Sequence, residues 1–122
     1  MRFLVVDDSS TMRRIIRNSL KSVGYDDVLE AGNGEEGLGR LQAEKVDVLI
    51  TDWNMPVMNG IELVAKMRSL PPLQTTPVLM VTTVAEKEEI LKAMQAGVTN
   101  YVVKPFDGAT LKKKIDQILG AA

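Results

Sequence analysis

The chain contains neither cysteine nor histidine. Without cysteine there is no disulfide, no thiolate nucleophile and no thiolate metal site, and the composition fits a reducing compartment. Without histidine no imidazole can act as general base, zinc ligand or phosphohistidine carrier. Any chemistry must come from carboxylates, hydroxyls, lysines, backbone amides or a metal held by oxygen. An excess of charge of one sign is missing too. Fifteen Lys and Arg against 16 Asp and Glu leave a formal net charge of −1, so no global field draws in nucleic acid. The one basic run, Lys112 to Lys114, is short enough to be a solvated helix face. No apolar run approaches the roughly 20 residues of a membrane-spanning helix. The N-terminal MRFLVV runs straight into Asp7 and Asp8 and is too short for a signal peptide. These absences predict a soluble, cytoplasmic protein that neither enters a membrane nor binds nucleic acid; a monomer is expected.

What is present is ordinary in amount and regular in order. The 122 residues suit one domain over 1–122, large enough to bury roughly 65 to 70% of the surface that its unfolded chain exposes. Short apolar runs at 2–6, 27–31, 47–51, 77–81 and 100–104 alternate with segments of helical period at 9–23, 34–43, 60–69, 85–96 and 108–119. The first, third, fourth and fifth runs are apolar on both faces, as strands covered by helices on each side are; the second is more mixed and suits an edge. Five βα units with short connections predict an α/β fold: one doubly wound parallel sheet flanked by five helices. The seven methionines are scattered and read as core filler.

Open sheets of this kind place their sites at the carboxyl ends of the strands. Asp7 and Asp8 follow the first run, Asp52 the third, Thr82 and Thr83 the fourth, and Lys104 closes the fifth before Pro105. Taken alone, either early aspartate reads equally well as a helix cap, Thr82 as a strand-end hydroxyl and Lys104 as a solvated lysine. Together they converge on one edge. Two carboxylates about 4 Å apart repel by roughly 4 kcal/mol at an effective dielectric near 20, which favours a bound cation or a raised pKa. All-oxygen ligation suits Mg²⁺, Mn²⁺ or Ca²⁺. A metal, a carboxylate, a hydroxyl and a lysine make a coherent phosphoryl-transfer site, with Asp52 as nucleophile.

The segments DDSSTMRRIIRNSL, DWNMPVMNG, MVTT and AGVTNYVVKPF give the chain a close resemblance, over essentially its whole length, to bacterial response-regulator receiver domains of two-component systems, the chemotaxis regulators in particular. That resemblance implies a flavodoxin-like sheet in the order 2-1-3-4-5, an order that the apolar pattern alone does not supply. It implies that Asp52 is the phospho-acceptor, and that Asp8, Asp52 and the backbone carbonyl of Asn54 ligate Mg²⁺ while Asp7 acts through a bound water. Thr82 and Lys104 would contact the phosphoryl group, Tyr101 would be the aromatic whose rotamer follows Thr82, and the Lys104–Pro105 bond would be cis. Ala85, Lys87, Ile90, Tyr101, Val103, Phe106 and Lys114 match the family's target-binding surface, although some of these apolar residues, Val103 especially, read as plain core. Trp53 beside the acceptor reads on its own as a partly buried aromatic; the resemblance implies that it would serve as a fluorescence probe of the site. Two residues depart from the common pattern: Thr83, where many receivers have alanine, and Val84, where the best-known chemotaxis regulators have glutamate.

The resulting expectation is a single-domain signalling switch rather than a turnover enzyme. It takes a phosphoryl group from a histidine kinase and then binds a target, most naturally the flagellar motor switch, with a phosphatase as a further partner. The site residues leave open a phosphorelay intermediate or a phosphate sink. Haloacid-dehalogenase-like phosphatases also use an aspartyl nucleophile and Mg²⁺, but they want an aspartate where Asn54 stands. A flavodoxin-like FMN site would need a phosphate-cradling loop where DDSS places two negative charges. A binding-only degenerate receiver would lack site residues that are all present here.

Overall fold

The computed structural model of the protein describes residues 1–83 and 86–120. Strands β1 (Phe3–Val6), β2 (Val28–Ala31), β3 (Val48–Asp52), β4 (Val78–Thr82) and β5 (Asn100–Val103) alternate with helices α1 (Ser10–Ser22), α2 (Gly34–Ala43), α3 (Gly60–Arg68), α4 (Lys87–Ala96) and α5 (Gly108–Ile118). The strands form one parallel sheet in the order β2-β1-β3-β4-β5. The register pairs Phe3 with both Val28 and Val48, Leu49 with Val78 and Leu79 with Asn100.

Side chains along a strand alternate between faces, and here both faces are dry. Leu4 and Val6 point with Leu49 and Met80 into a core closed by Leu41 of α2, Leu63, Val64 and Met67 of α3, and Ala93 of α4. Phe3 and Val5 point with Val48, Ile50, Leu79 and Val81 into a second core closed by Ile16 and Leu20 of α1 and Leu111 and Ile115 of α5. Each fully buried Leu or Ile contributes on the order of 1.5 to 3 kcal/mol. That is why the strand sequences read as unbroken apolar runs.

The edges modify this picture. Strand β2 is an edge strand, as its mixed sequence suggests. The fifth run, expected to be covered on both faces, is the other edge: only Val102 is buried there, while Tyr101 and Val103 are partly exposed. Helix starts are capped by side chains at Ser9, Asn33, Asn59 and Asp107, with a full capping box between Asn59 and Glu62. Neither Asp7 nor Asp8 is therefore the cap of α1. Helix α4 begins at Lys87 after Glu86, with no side-chain cap bond; the expected start at residue 85, like Val84 and Ala85 themselves, lies outside the described residues.

At its other end α4 is held firmly. Gly97 closes the helix with φ of +113°, and its carbonyl oxygen accepts from Arg68 Nε at 3.2 Å and Nη2 at 2.9 Å. Arg68 Nη1 donates to the Leu73 carbonyl at 2.7 Å. A Cβ at Gly97 would come within 2.8 Å of Arg68 Cγ, so both backbone conformation and packing demand glycine there. Burial pushes the Arg68 guanidinium below its ordinary pKa. Among the described residues no helix is long and apolar enough to cross a membrane.

Candidate functional site

The carboxyl ends of β1, β3, β4 and β5 bring the polar strand-end residues together. Asp7, next after β1, is 1% exposed, and Thr82, the last residue of β4, is equally buried. Asp52 is the last residue of β3 and Lys104 follows β5 directly. The Lys104 N–H donates to the Thr82 carbonyl at 2.7 Å, which fixes the β5 exit against β4. The Lys104 side chain then turns inward to the acids. Its Nζ stands 3.4 Å from Asp7 Oδ2 and 3.4 Å from Asp52 Oδ2. The Lys104–Pro105 peptide is cis.

Two of the acids are oriented by backbone donors. Asp7 Oδ1 accepts the Ser9 N–H at 2.9 Å, and Asp52 Oδ1 accepts the Trp53 N–H at 2.8 Å. Asp8 is the exposed member of the group, and one carboxylate oxygen from each of Asp7, Asp8 and Asp52 lies within 4.8 Å of the others. One ammonium thus meets two carboxylates of a cluster of three. Burial, and next the charge of Asp7, pushes the Asp52 carboxyl above its ordinary value, against the opposing pull of Lys104 and the Trp53 N–H.

The loop after Asp52 is shaped for close approach. The Gly60 N–H donates to the Trp53 carbonyl at 2.8 Å, and a Cβ on Gly60 would collide with the Asp52 carbonyl oxygen. Glycine lets the start of α3 sit directly against the end of β3. Val57 has φ of +68°, with the Met58 N–H donating to the Pro56 carbonyl at 2.7 Å across it, and its side chain is 73% exposed. A β-branched residue in this conformation is strained. Trp53 is partly buried against the core beneath α2, α3 and α4, whereas Asn54 and Thr83 are exposed.

The residues expected on the target-binding face lie along the β5 edge. Lys87 is exposed on α4 and Ile90 partly so; Val103, Phe106 and Lys114 are partly buried. Tyr101 packs by its ring against the α4-side core, with Lys114 Nζ 5.0 Å from the ring centroid. Ala85 lies outside the described residues. Sequence reasoning missed the contacts of Arg13, whose guanidinium bonds the Asp7 carbonyl; a basic residue on an amphipathic helix carries no signal that separates it from a solvated one.

Three oxygen donors with excess negative charge and no nitrogen or sulfur ligand nearby are what a hard divalent cation requires. A parallel 2-1-3-4-5 sheet with such a site at the strand ends defines the class. The chain belongs to the response regulator receiver domain family, whose pattern matches residues 3–116. It is 55% identical over 121 residues to a chemotaxis protein CheY homolog of Campylobacter jejuni, covering 98% of this chain and 93% of that protein. It is 54% identical over 121 residues to chemotaxis protein CheY1 of Helicobacter pylori, covering 98% of each chain. Among solved structures, chemotaxis response regulator CheY4 of Vibrio cholerae superposes with a TM-score of 0.90 at 38% identity, over 96% of this chain and 97% of that one. Mg²⁺, which the family implies, fits the donor set.

Proposed function

We propose that this response regulator carries a chemotaxis signal: that Asp52 accepts a phosphoryl group from the phosphohistidine of a histidine kinase, and that the phosphorylated form binds the flagellar motor switch. The observation that supports this best is the placement of the Lys104 ammonium 3.4 Å from both Asp7 and Asp52, inside a cluster of three carboxylates. Such a site is short of positive charge when empty and suited to a phosphoryl group delivered with a cation.

Asp52 is the nucleophile. Its Oδ2 forms the new P–O bond as the P–N bond of the donor breaks, and the electron pair leaves on the donor imidazole nitrogen, which takes up a proton from solvent. The Trp53 N–H holds the other oxygen and so aims the attacking one. Lys104, already drawn to Asp52, would neutralise phosphoryl oxygens as they arrive, and the Thr82 hydroxyl would donate a hydrogen bond to one of them. Asp7, Asp8, Asp52 and the Asn54 carbonyl would hold Mg²⁺, which when bound supplies charge compensation to the phosphoryl oxygens. Thr82 and Tyr101 would pass the change to the α4–β5–α5 face, where Lys87, Ile90, Val103, Phe106 and Lys114 meet the target, Ala85 being the further contact expected there. The same chemistry would let the protein catalyse its own phosphorylation and dephosphorylation without turning over an external substrate. The proposed setting is the cytoplasm, and the proposed receiver unit spans 1–122.

Acetyl phosphate, titrated with and without Mg²⁺ while intact mass and Trp53 fluorescence are followed, tests this reading. One phosphoryl group should add only with Mg²⁺ present, and none to Asp52→Asn. Full incorporation into Asp52→Asn would reject the assignment.

A further inference from the structure

Arg13 on α1 reaches the backbone of the site. Its Nη1 donates to the Asp7 carbonyl oxygen at 2.6 Å and its Nε to Glu30 Oε1 at 3.1 Å, with the side chain only 20% exposed. Glu30, on β2, accepts from Arg17 Nη1 at 2.6 Å through its other oxygen. The guanidinium is therefore braced from the edge strand while it grips one carbonyl.

That carbonyl belongs to the peptide joining Asp7 to Asp8. The rest of Asp7 is held by other groups: its N–H donates to the Ala31 carbonyl at 3.1 Å, and its carboxylate meets the Ser9 N–H and Lys104. Asp8 is exposed and lies between two peptides: the one after it is held by the Ser9 N–H on Asp7 Oδ1 and the one before it by Arg13, so Arg13 holds one of the two planes that set the direction in which the Asp8 side chain leaves the backbone. A carboxylate on a freely rotating peptide spends its time among many orientations. Fixing the peptide removes most of them before a ligand arrives.

We propose that Arg13, braced by Glu30, is a positioning residue for cation binding: by fixing the Asp7–Asp8 peptide it presents the Asp8 carboxylate to the ion that Asp7 and Asp52 share. The proposal rests on the reading of the acid cluster as a Mg²⁺ site. Charge and geometry act in opposite directions here. A guanidinium beside a divalent cation repels it, so charge alone makes an arginine-free variant bind Mg²⁺ more tightly, whereas lost positioning makes it bind more weakly.

The test is the Mg²⁺ affinity of the unphosphorylated protein, by calorimetric titration with MgCl₂ and in parallel by Trp53 fluorescence. Arg13→Gln should bind about tenfold more weakly, the lower end of what losing a partner behind a metal ligand costs. Arg13→Lys keeps the charge and one donor, and should recover part of that loss. A merely structural role would lower the melting temperature of both variants and leave Mg²⁺ affinity in place. Arg13→Gln that binds Mg²⁺ as tightly as the wild type, or more tightly, overturns the proposal and leaves the function reading standing. If Arg13→Gln does not fold, Arg13→Lys decides: weaker binding supports the proposal and wild-type affinity overturns it. Wild-type protein that binds no Mg²⁺ overturns the function reading and the proposal together.

Discussion

Replacing Asp52 by asparagine should stabilise the protein when divalent cations are removed. The substitution keeps shape, and an amide oxygen can still accept the Trp53 N–H that Asp52 Oδ1 accepts at 2.8 Å. What changes is charge. Asp52 loses the attraction of Lys104 at 3.4 Å, worth about 5 kcal/mol at an effective dielectric of 20. It also loses repulsion from two carboxylates within 4.8 Å, worth together about 7 kcal/mol on the same scale. The difference favours asparagine, and relief of burial adds to it; water around exposed Asp8 screens part of the balance, which leaves a net gain of about 1 kcal/mol. For a chain of this size that raises the melting temperature by about 3 to 5 °C.

The pH dependence has a definite sign. The Asp52 carboxyl is raised in the folded protein above the ordinary 3.8. Below that ordinary value it is protonated in both folded and unfolded chains, and it costs nothing. As pH climbs from there through the raised folded value, the unfolded chain ionises more readily, and stability is lost. The advantage of Asp52→Asn should therefore open as pH rises through this window, hold at neutral pH, and vanish below about pH 3.8. Thermal unfolding in EDTA from pH 3 to 8 measures it. Saturating Mg²⁺ should narrow or reverse the gap, because only the wild type keeps all three carboxylates of the proposed cation site. An Asp52→Asn variant that melts at or below the wild type in EDTA at neutral pH would refute the electrostatic reasoning.

Thr82→Ala and Tyr101→Ala should each still take phosphate from acetyl phosphate but lose most of the phosphorylation-dependent gain in affinity for a flagellar-switch peptide, a coupling of about 1 to 3 kcal/mol; an undiminished gain by calorimetry means that the signal travels elsewhere. Gly60→Ala should cost at least about 2 kcal/mol in urea unfolding and slow phosphorylation, since its Cβ meets the Asp52 carbonyl; unchanged stability would show that the loop yields freely. Val57→Asn should stabilise by about 1 kcal/mol, because asparagine tolerates a positive φ and the exposed valine buries little; equal urea midpoints would mean that Val57 carries no strain.

Much of the fold could be read because the sheet is covered on both sides. Strands β1, β3 and β4 appear as apolar runs for that physical reason, and the charge of Glu30 in β2 marks an edge. Strand β5 was harder to read: Tyr101 and Val103 are apolar enough to suggest burial, yet an edge strand exposes them. Strand order leaves no trace in the pattern and came from the family resemblance. In the site, Asp7, Asp52, Thr82 and Lys104 were legible because parallel strands deliver their ends to one place. Arg13 and Arg68 were not, since both grip backbone carbonyls, and a carbonyl has no residue type to read.

The two bonds of Arg68 to the Gly97 carbonyl, with a third that ties Arg68 to the Leu73 carbonyl, would make the Gly97 end, remote from the acids, the fulcrum of any tilt of α4. Ten residues of helix span about 15 Å, so a rotation of about 10° about Gly97 would carry Lys87 through about 2.6 Å while leaving Ala96 nearly in place. A small rotation would thus be spent almost wholly at the end nearest Thr82, and the core under Ala93 would scarcely need to repack. Tightness at one end of the helix would confine any travel to the other.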